Sequence, residues 1–144
     1  MGGAGSLSRF LDAQAPVFDA VCTELRQGKK TSHWMWFIFP QLRGLGRSET
    51  ARFYGIVDRA EAQAYARHPV LGDRLATSTA LVLAHPTRDI ADMLGPVDAQ
   101  KLLSCATLFE IAAPDPTLFT DVRQTFYDGA ICKLTLAELE KQHG

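Results

Sequence analysis

The chain has 144 residues, 47% hydrophobic and 22% charged, enough for one globular domain with a buried core. Fifteen basic residues against sixteen acidic ones leave a formal charge of -1, which argues against a duplex-binding module with a dominant basic face. No apolar run approaches the roughly 18 residues that a membrane helix needs.

Residues 1–6 read as a flexible lead, and 7–144 as a single helical domain. MGGAGSLSRF lacks the charged start and apolar core of a signal peptide. Leu7, Phe10 and Leu11 fit a first helix that stops before Pro16. Pro16 suits the first turn of a second, where Val17, Val21 and Leu25 share a face and Gly28 caps the end. Ser32 is placed to cap a third helix carrying His33 to Phe37, ended by Pro40. Gln41–Arg47 reads as a loop, and Ser48 opens a helix through Phe53 and Tyr54.

Asp58 and Glu61 have capping-box spacing ahead of a helix over Arg59–Arg67. Pro69 is expected to open the next helix, with Leu71, Leu75, Val82 and Leu83 periodic and His85-Pro86 closing it. A short helix over Ile90–Leu94 ends at Gly95. Pro96 starts another, with Val97, Leu102, Cys105, Leu108 and Phe109 facing inward. After the Ala113–Pro116 connector come Leu118–Phe126 and a last helix capped by Thr135 and Glu138. No period-2 alternation marks a hairpin, and Trp36–Phe39 is the one stretch where strand and helix compete. The pattern predicts an all-α fold of eight or nine short helices.

The densest signal is SHWMWFIFPQLRGLG, Ser32 to Gly46. Two Trp, two Phe, an Ile and a Met are followed at once by Gln41, Arg43 and two glycines. Apolar walls beside a few polar groups are the composition of a binding pocket. His33 is a candidate partner for a bound polar group, against a histidine bonded to a nearby carbonyl. Trp34 and Trp36 are candidates for stacking, with core packing the default for at least one. Arg43, with Gly44 and Gly46, suggests a weak anion site, although the spacing is neither a P-loop nor a dinucleotide fingerprint. Asp98 and Lys101 share a helical face, either as a surface ion pair or with Lys101 and Ser104 turned towards the aromatic pocket.

No catalytic constellation is complete. His33, His68, His85 and His143 lack metal-type spacing, and no metal or cofactor is implied. Cys22, Cys105 and Cys132 are scattered and odd in number, which points to reduced thiols in a cytoplasmic protein. Lys29, Lys30, Arg43, Arg47 and Arg52 form a local basic cluster.

The chain resembles a small bacterial family of unknown function. The likeness runs from about Ser8 to Leu139. It is carried by RFLDAQAPVFDAV, GKKTSHWMWFIFPQLRGLGRSETARFYGI, EAQAYARHPVLGDRL and GPVDAQKLLSCATLF. Members are sometimes labelled calpastatin-like, a label that no inhibitor repeat in this chain supports. The resemblance implies a multihelical domain and brings no activity with it. Its motif positions are His33, Trp34, Trp36, Pro40, Gln41, Gly44, Gly46, Tyr54, His68, Asp98, Lys101 and Thr107. Ala106, where methionine is common, and a looser stretch from Asp128 to Lys133 depart from it.

The leading expectation is a ligand-binding domain for a small anionic or aromatic, nucleotide-like molecule. Its site is assigned to His33, Trp34, Trp36, Gln41, Arg43, Gly44, Gly46, Tyr54, Asp98 and Lys101, with Trp34 stacking and Arg43 and Lys101 holding negative charge. One rival is an enzyme acting on a nucleotide or sugar-nucleotide bond, with proton transfer by His33, Asp98 or Lys101. Another is a module that docks a partner protein through an exposed aromatic patch. A third has the whole aromatic motif as folding core.

Overall fold

Prolines, glycines and capping side chains divide this chain into helices close to where local chemistry places them. A computed structural model describes residues 2–143. The lead expected over residues 1–6 falls on Met1, outside the described residues, and on residues whose side chains lie outside them too. The elements are α1 (Gly2–Gln14), α2 (Phe18–Gln27), α3 (Met35–Ile38), a 3-10 turn (Arg43–Leu45), α4 (Glu49–Phe53) and α5 (Arg59–Arg67). Then come α6 (Leu71–Leu83), α7 (Ile90–Leu94), α8 (Pro96–Ala112), α9 (Thr117–Tyr127) and α10 (Lys133–His143). Among the described residues there is no strand, only one parallel bridge between Leu42 and Ile56. The fold is all-α.

Several boundaries follow from caps. Gly28 adopts φ 71°, a left-handed conformation that glycine takes without steric cost, and its N–H closes the end of α2. Ser48 accepts the Ala51 N–H, and Asp89 accepts those of Ala91 and Asp92. Asp58 accepts the Glu61 N–H at 2.9 Å, but Glu61 does not complete the box. Its carboxylate takes the Val57 N–H instead and pairs with Arg9 at 3.0 Å, tying α5 to α1.

Four starts differ from expectation. Pro16 and Pro69 lie in the turns ahead of α2 and α6, not in their first turns. At the second, His68 Nδ1 accepts the N–H groups of Val70 and Leu71, so the turn is capped from before the proline. The third helix begins at Met35 because the Ser32 hydroxyl is drawn back to Glu24 and caps nothing. α10 starts before the expected Thr135–Glu138 box. The Cys132 N–H is held by Thr107 Oγ1 at 3.0 Å, which anchors that start on α8 and leaves Thr135 buried in the first turn.

α8 organises the core. Leu102, Cys105, Ala106, Leu108 and Phe109 are buried on several sides of it, as expected of a helix enclosed by others. α5, α7, α9 and α10 pack on it, and α6 bridges α2, α5 and α9. The Ala, Ser, Cys and Thr residues of its middle let those neighbours approach closely. Val97 departs from the inward position predicted for it: at the first turn of α8 it is 65% exposed. No helix among the described residues is long and apolar enough to cross a membrane.

Candidate functional site

The aromatic segment is set in place by a residue the sequence pattern did not single out. Glu24, near the end of α2, is buried and turns its carboxylate into the loop that follows. Oε1 accepts the N–H groups of Thr31 (2.8 Å) and Ser32 (3.0 Å) and the indole N–H of Trp34 (3.0 Å), while Oε2 accepts the Ser32 hydroxyl (2.6 Å). Burial by itself would raise its pKa. The donors from Ser32, Thr31 and Trp34 outweigh that and lower it to about 2.

This anchoring decides the fate of the two indoles. Trp34 is 1% exposed, inside the core, so it cannot stack on a ligand as expected of it. Met35, Phe37, Ile38 and Phe39 are buried with it, so the segment offers no aromatic docking patch. Trp36 is half-buried, with Lys101 Nζ 5.6 Å from its ring centre. The core reading of the motif therefore holds for most of the aromatics, and Trp36 is the indole that reaches a hollow.

Beyond Pro40 the chain pairs Ile56 N–H with Gln41 O and Arg43 N–H with Ile56 O, both at 2.8 Å. This clasp fixes the loop against α4 and leaves a cleft between the loop and α8. The cleft encloses about 530 Å³ and is lined by Gln41, Leu45, Gly46, Arg47, Ser48, Ala51, Val97, Gln100, Lys101, Ser104 and Leu134. A much smaller niche of about 10 Å³ shares Gln41, Ala51 and Lys101 with it and is walled by Met35, Trp36, Phe39, Tyr54 and Gly55. A third hollow of about 280 Å³ shares Leu45, Gly46, Arg47 and Leu134 and runs along α10 past Glu138.

Of the residues assigned from sequence, Gln41, Gly46 and Lys101 line the main cleft, and Trp36 and Tyr54 line the niche beside it. Ser104 lines the cleft as well. Arg43 does not: it is exposed, and its Nε donates to the Arg52 carbonyl at 2.8 Å. Gly44 lies in the α10 hollow, against the Glu138 carboxylate. Asp98 is off the cleft wall and bridges Lys30 at 3.0 Å and Lys101 at 3.9 Å. His33 is exposed and lines none of these hollows, so the shared cavity that proton transfer with Asp98 and Lys101 requires is not formed.

Arg47, Ser48, Gln100, Val97 and Leu134 were not assigned to the site. Val97, Gln100, Lys101 and Ser104 sit at i, i+3, i+4 and i+7 of α8, so one face of that helix carries the signal. Arg47 stood in the basic cluster with nothing to separate it from Arg43. The cleft wall carries two cations, Arg47 and Lys101, and no carboxylate. Arg47 makes no ion pair among the described residues, and the nearest acidic oxygen to Lys101 Nζ is 3.9 Å away. No three His, Cys, Asp or Glu side chains among the described residues gather as a metal site would need.

A helical domain with a cation-lined cleft beside its central helix is the class these features define. A protein-family model described as "Protein of unknown function (DUF1810)" matches residues 4–139, and the chain belongs to that family. It is similar to the conserved hypothetical protein Rv1873 of Mycobacterium tuberculosis, known from a crystal structure. The two are 47% identical with a TM-score of 0.91, over 93% of this chain and 96% of that one. No protein with a curated description matches the chain.

Proposed function

We propose that the cleft between the Gln41–Ser48 loop and α8 binds a small anionic ligand of nucleotide-like chemistry. The observation that carries this reading is the wall composition: Arg47 and Lys101 on opposite elements, four neutral hydrogen-bonding side chains, and no carboxylate in a chain of net charge -1. A positive concavity with low-dielectric sides attracts and retains anions. The volume, about 530 Å³, lies within the range of small-molecule sites. Three free cysteines support a reducing, cytoplasmic setting.

A thermal-shift panel of nucleotides, ADP-ribose-like compounds and simple phosphate esters tests the reading. Binding raises the melting temperature by mass action, and Lys101→Met abolishes the rise. A panel in which no anion moves the transition removes the proposal.

A further inference from the structure

A nucleotide has three parts with different demands: a flat base, a hydroxyl-bearing sugar and a phosphate. The walls on offer match them unequally. The aromatic niche of Trp36, Tyr54, Phe39 and Met35 encloses only about 10 Å³, room for no more than a water molecule. Its accessible indole already carries the Lys101 ammonium 5.6 Å from the ring centre. A base has no place to stack there.

The open cleft is different. Arg47 has a planar fork suited to two phosphate oxygens, and Lys101 supplies a point charge from the facing helix. Gln41 and Gln100 have side-chain amides without a hydrogen-bond partner among the described residues. The Ser48 oxygen accepts the Ala51 N–H and keeps its proton free to donate. Ser104 lies deeper on α8, its hydroxyl proton shared between the Gln100 carbonyl and the Cys132 sulfur, each at 3.3 Å, so its oxygen is left to accept. Amides and hydroxyls that both donate and accept suit a polyol. At the mouth stand Val97 and Leu134, 65% and 68% exposed. These aliphatic side chains can cover a flat ring but hold no polar atom that tells one base from another.

Granting the anion-binding reading above, we propose that the cleft recognises a sugar phosphate. Arg47 and Lys101 hold the phosphate, Gln41, Gln100, Ser48 and Ser104 meet the sugar hydroxyls, and any attached base stays unread at the Val97–Leu134 rim. A free sugar phosphate and a nucleotide share this chemistry, and the experiment separates the two sources.

The test is calorimetric titration of the full chain with ribose 5-phosphate, AMP, adenosine and inorganic phosphate at one salt concentration. Ribose 5-phosphate and AMP are expected within about threefold of each other, with adenosine and inorganic phosphate about tenfold or more weaker. Arg47→Ala, at an exposed position, is expected to weaken both sugar phosphates about tenfold while the unliganded melting temperature stays unchanged. Lys101 leaving the indole for the phosphate is expected to change Trp36 fluorescence, and Trp36→Phe removes that signal.

AMP binding more than about tenfold tighter than ribose 5-phosphate would overturn the inference, because the base would then be read. Adenosine equal to AMP would overturn it by showing that the phosphate is not held. Inorganic phosphate equal to ribose 5-phosphate would overturn the sugar contacts. If none of the four binds while another anion of the thermal panel does, this inference alone falls. If both experiments are silent, the binding reading falls with it.

Discussion

The Glu24 carboxylate accepts the indole N–H of Trp34 at 3.0 Å, across ten residues of chain, inside the core. The same oxygen accepts the Thr31 and Ser32 N–H groups, so one side chain both folds the loop and seals the indole. Trp36, two residues further on, is thereby left to face the niche beside the cleft.

Removing that carboxylate strands the buried Trp34 indole N–H and frees the part-buried donors of Thr31 and Ser32. Glu24→Ala is expected to cost about 3 kcal/mol at pH 7, read by denaturant unfolding. Because folding lowers the pKa of Glu24 from 4.5 to about 2, its contribution is complete above pH 4.5 and fades as pH falls towards 2. The stability gap between wild type and Glu24→Ala should shrink across that window. A gap that stays constant with pH would contradict the depressed pKa.

Three glycine positions separate into two kinds. A Cβ on Gly55 would stand 2.3 Å from Arg43 Cα, and one on Gly72 would stand 2.2 Å from the Ala66 carbonyl oxygen. Backbone cannot yield cheaply, so Gly55→Ala and Gly72→Ala are each expected to destabilise by about 1–3 kcal/mol. The atoms nearest a Cβ on Gly44 are those of the Glu138 carboxylate, the far end of a flexible side chain. Gly44→Ala should fall within about 0.5 kcal/mol of wild type, with melting temperatures deciding between the two classes.

The three thiols should differ in reactivity. Burial raises the pKa of both Cys22 and Cys105, the latter far above the usual thiol range. At Cys132 burial also pushes upward, but the Ser104 hydroxyl, 3.3 Å away, and the Leu134 and Thr135 N–H groups reverse it and lower the pKa. Iodoacetamide at neutral pH is therefore expected to label Cys132 first, with peptide mass spectrometry as the readout. Ser104→Ala should slow that labelling. Faster modification of Cys22 or Cys105 would refute the ordering.

Much of the helix pattern is legible in the residues themselves. Arg59–Arg67, Ile90–Leu94 and Pro96–Ala112 match their expected limits. Each is bounded by a cap, a glycine or a proline acting on backbone groups a few residues away. Of the four starts that differ, those of α3 and α10 are moved by a distant partner: Glu24 drawing off Ser32, and Thr107 holding Cys132.

The site was legible in outline only. Lys101, Ser104, Gln41 and Gly46 reach the cleft from positions whose residue types already suggested polar contact. Arg43 and Arg47 look alike in the sequence, yet only Arg47 reaches the cleft wall, because the Leu42–Ile56 clasp turns Arg43 onto the end of α4. Helix limits depend on backbone chemistry within a turn or two, which adjacent residues determine by themselves. Which cation faces the hollow, and which indole is sealed, depend on contacts between segments far apart in the chain, and only the packed tertiary structure decides them.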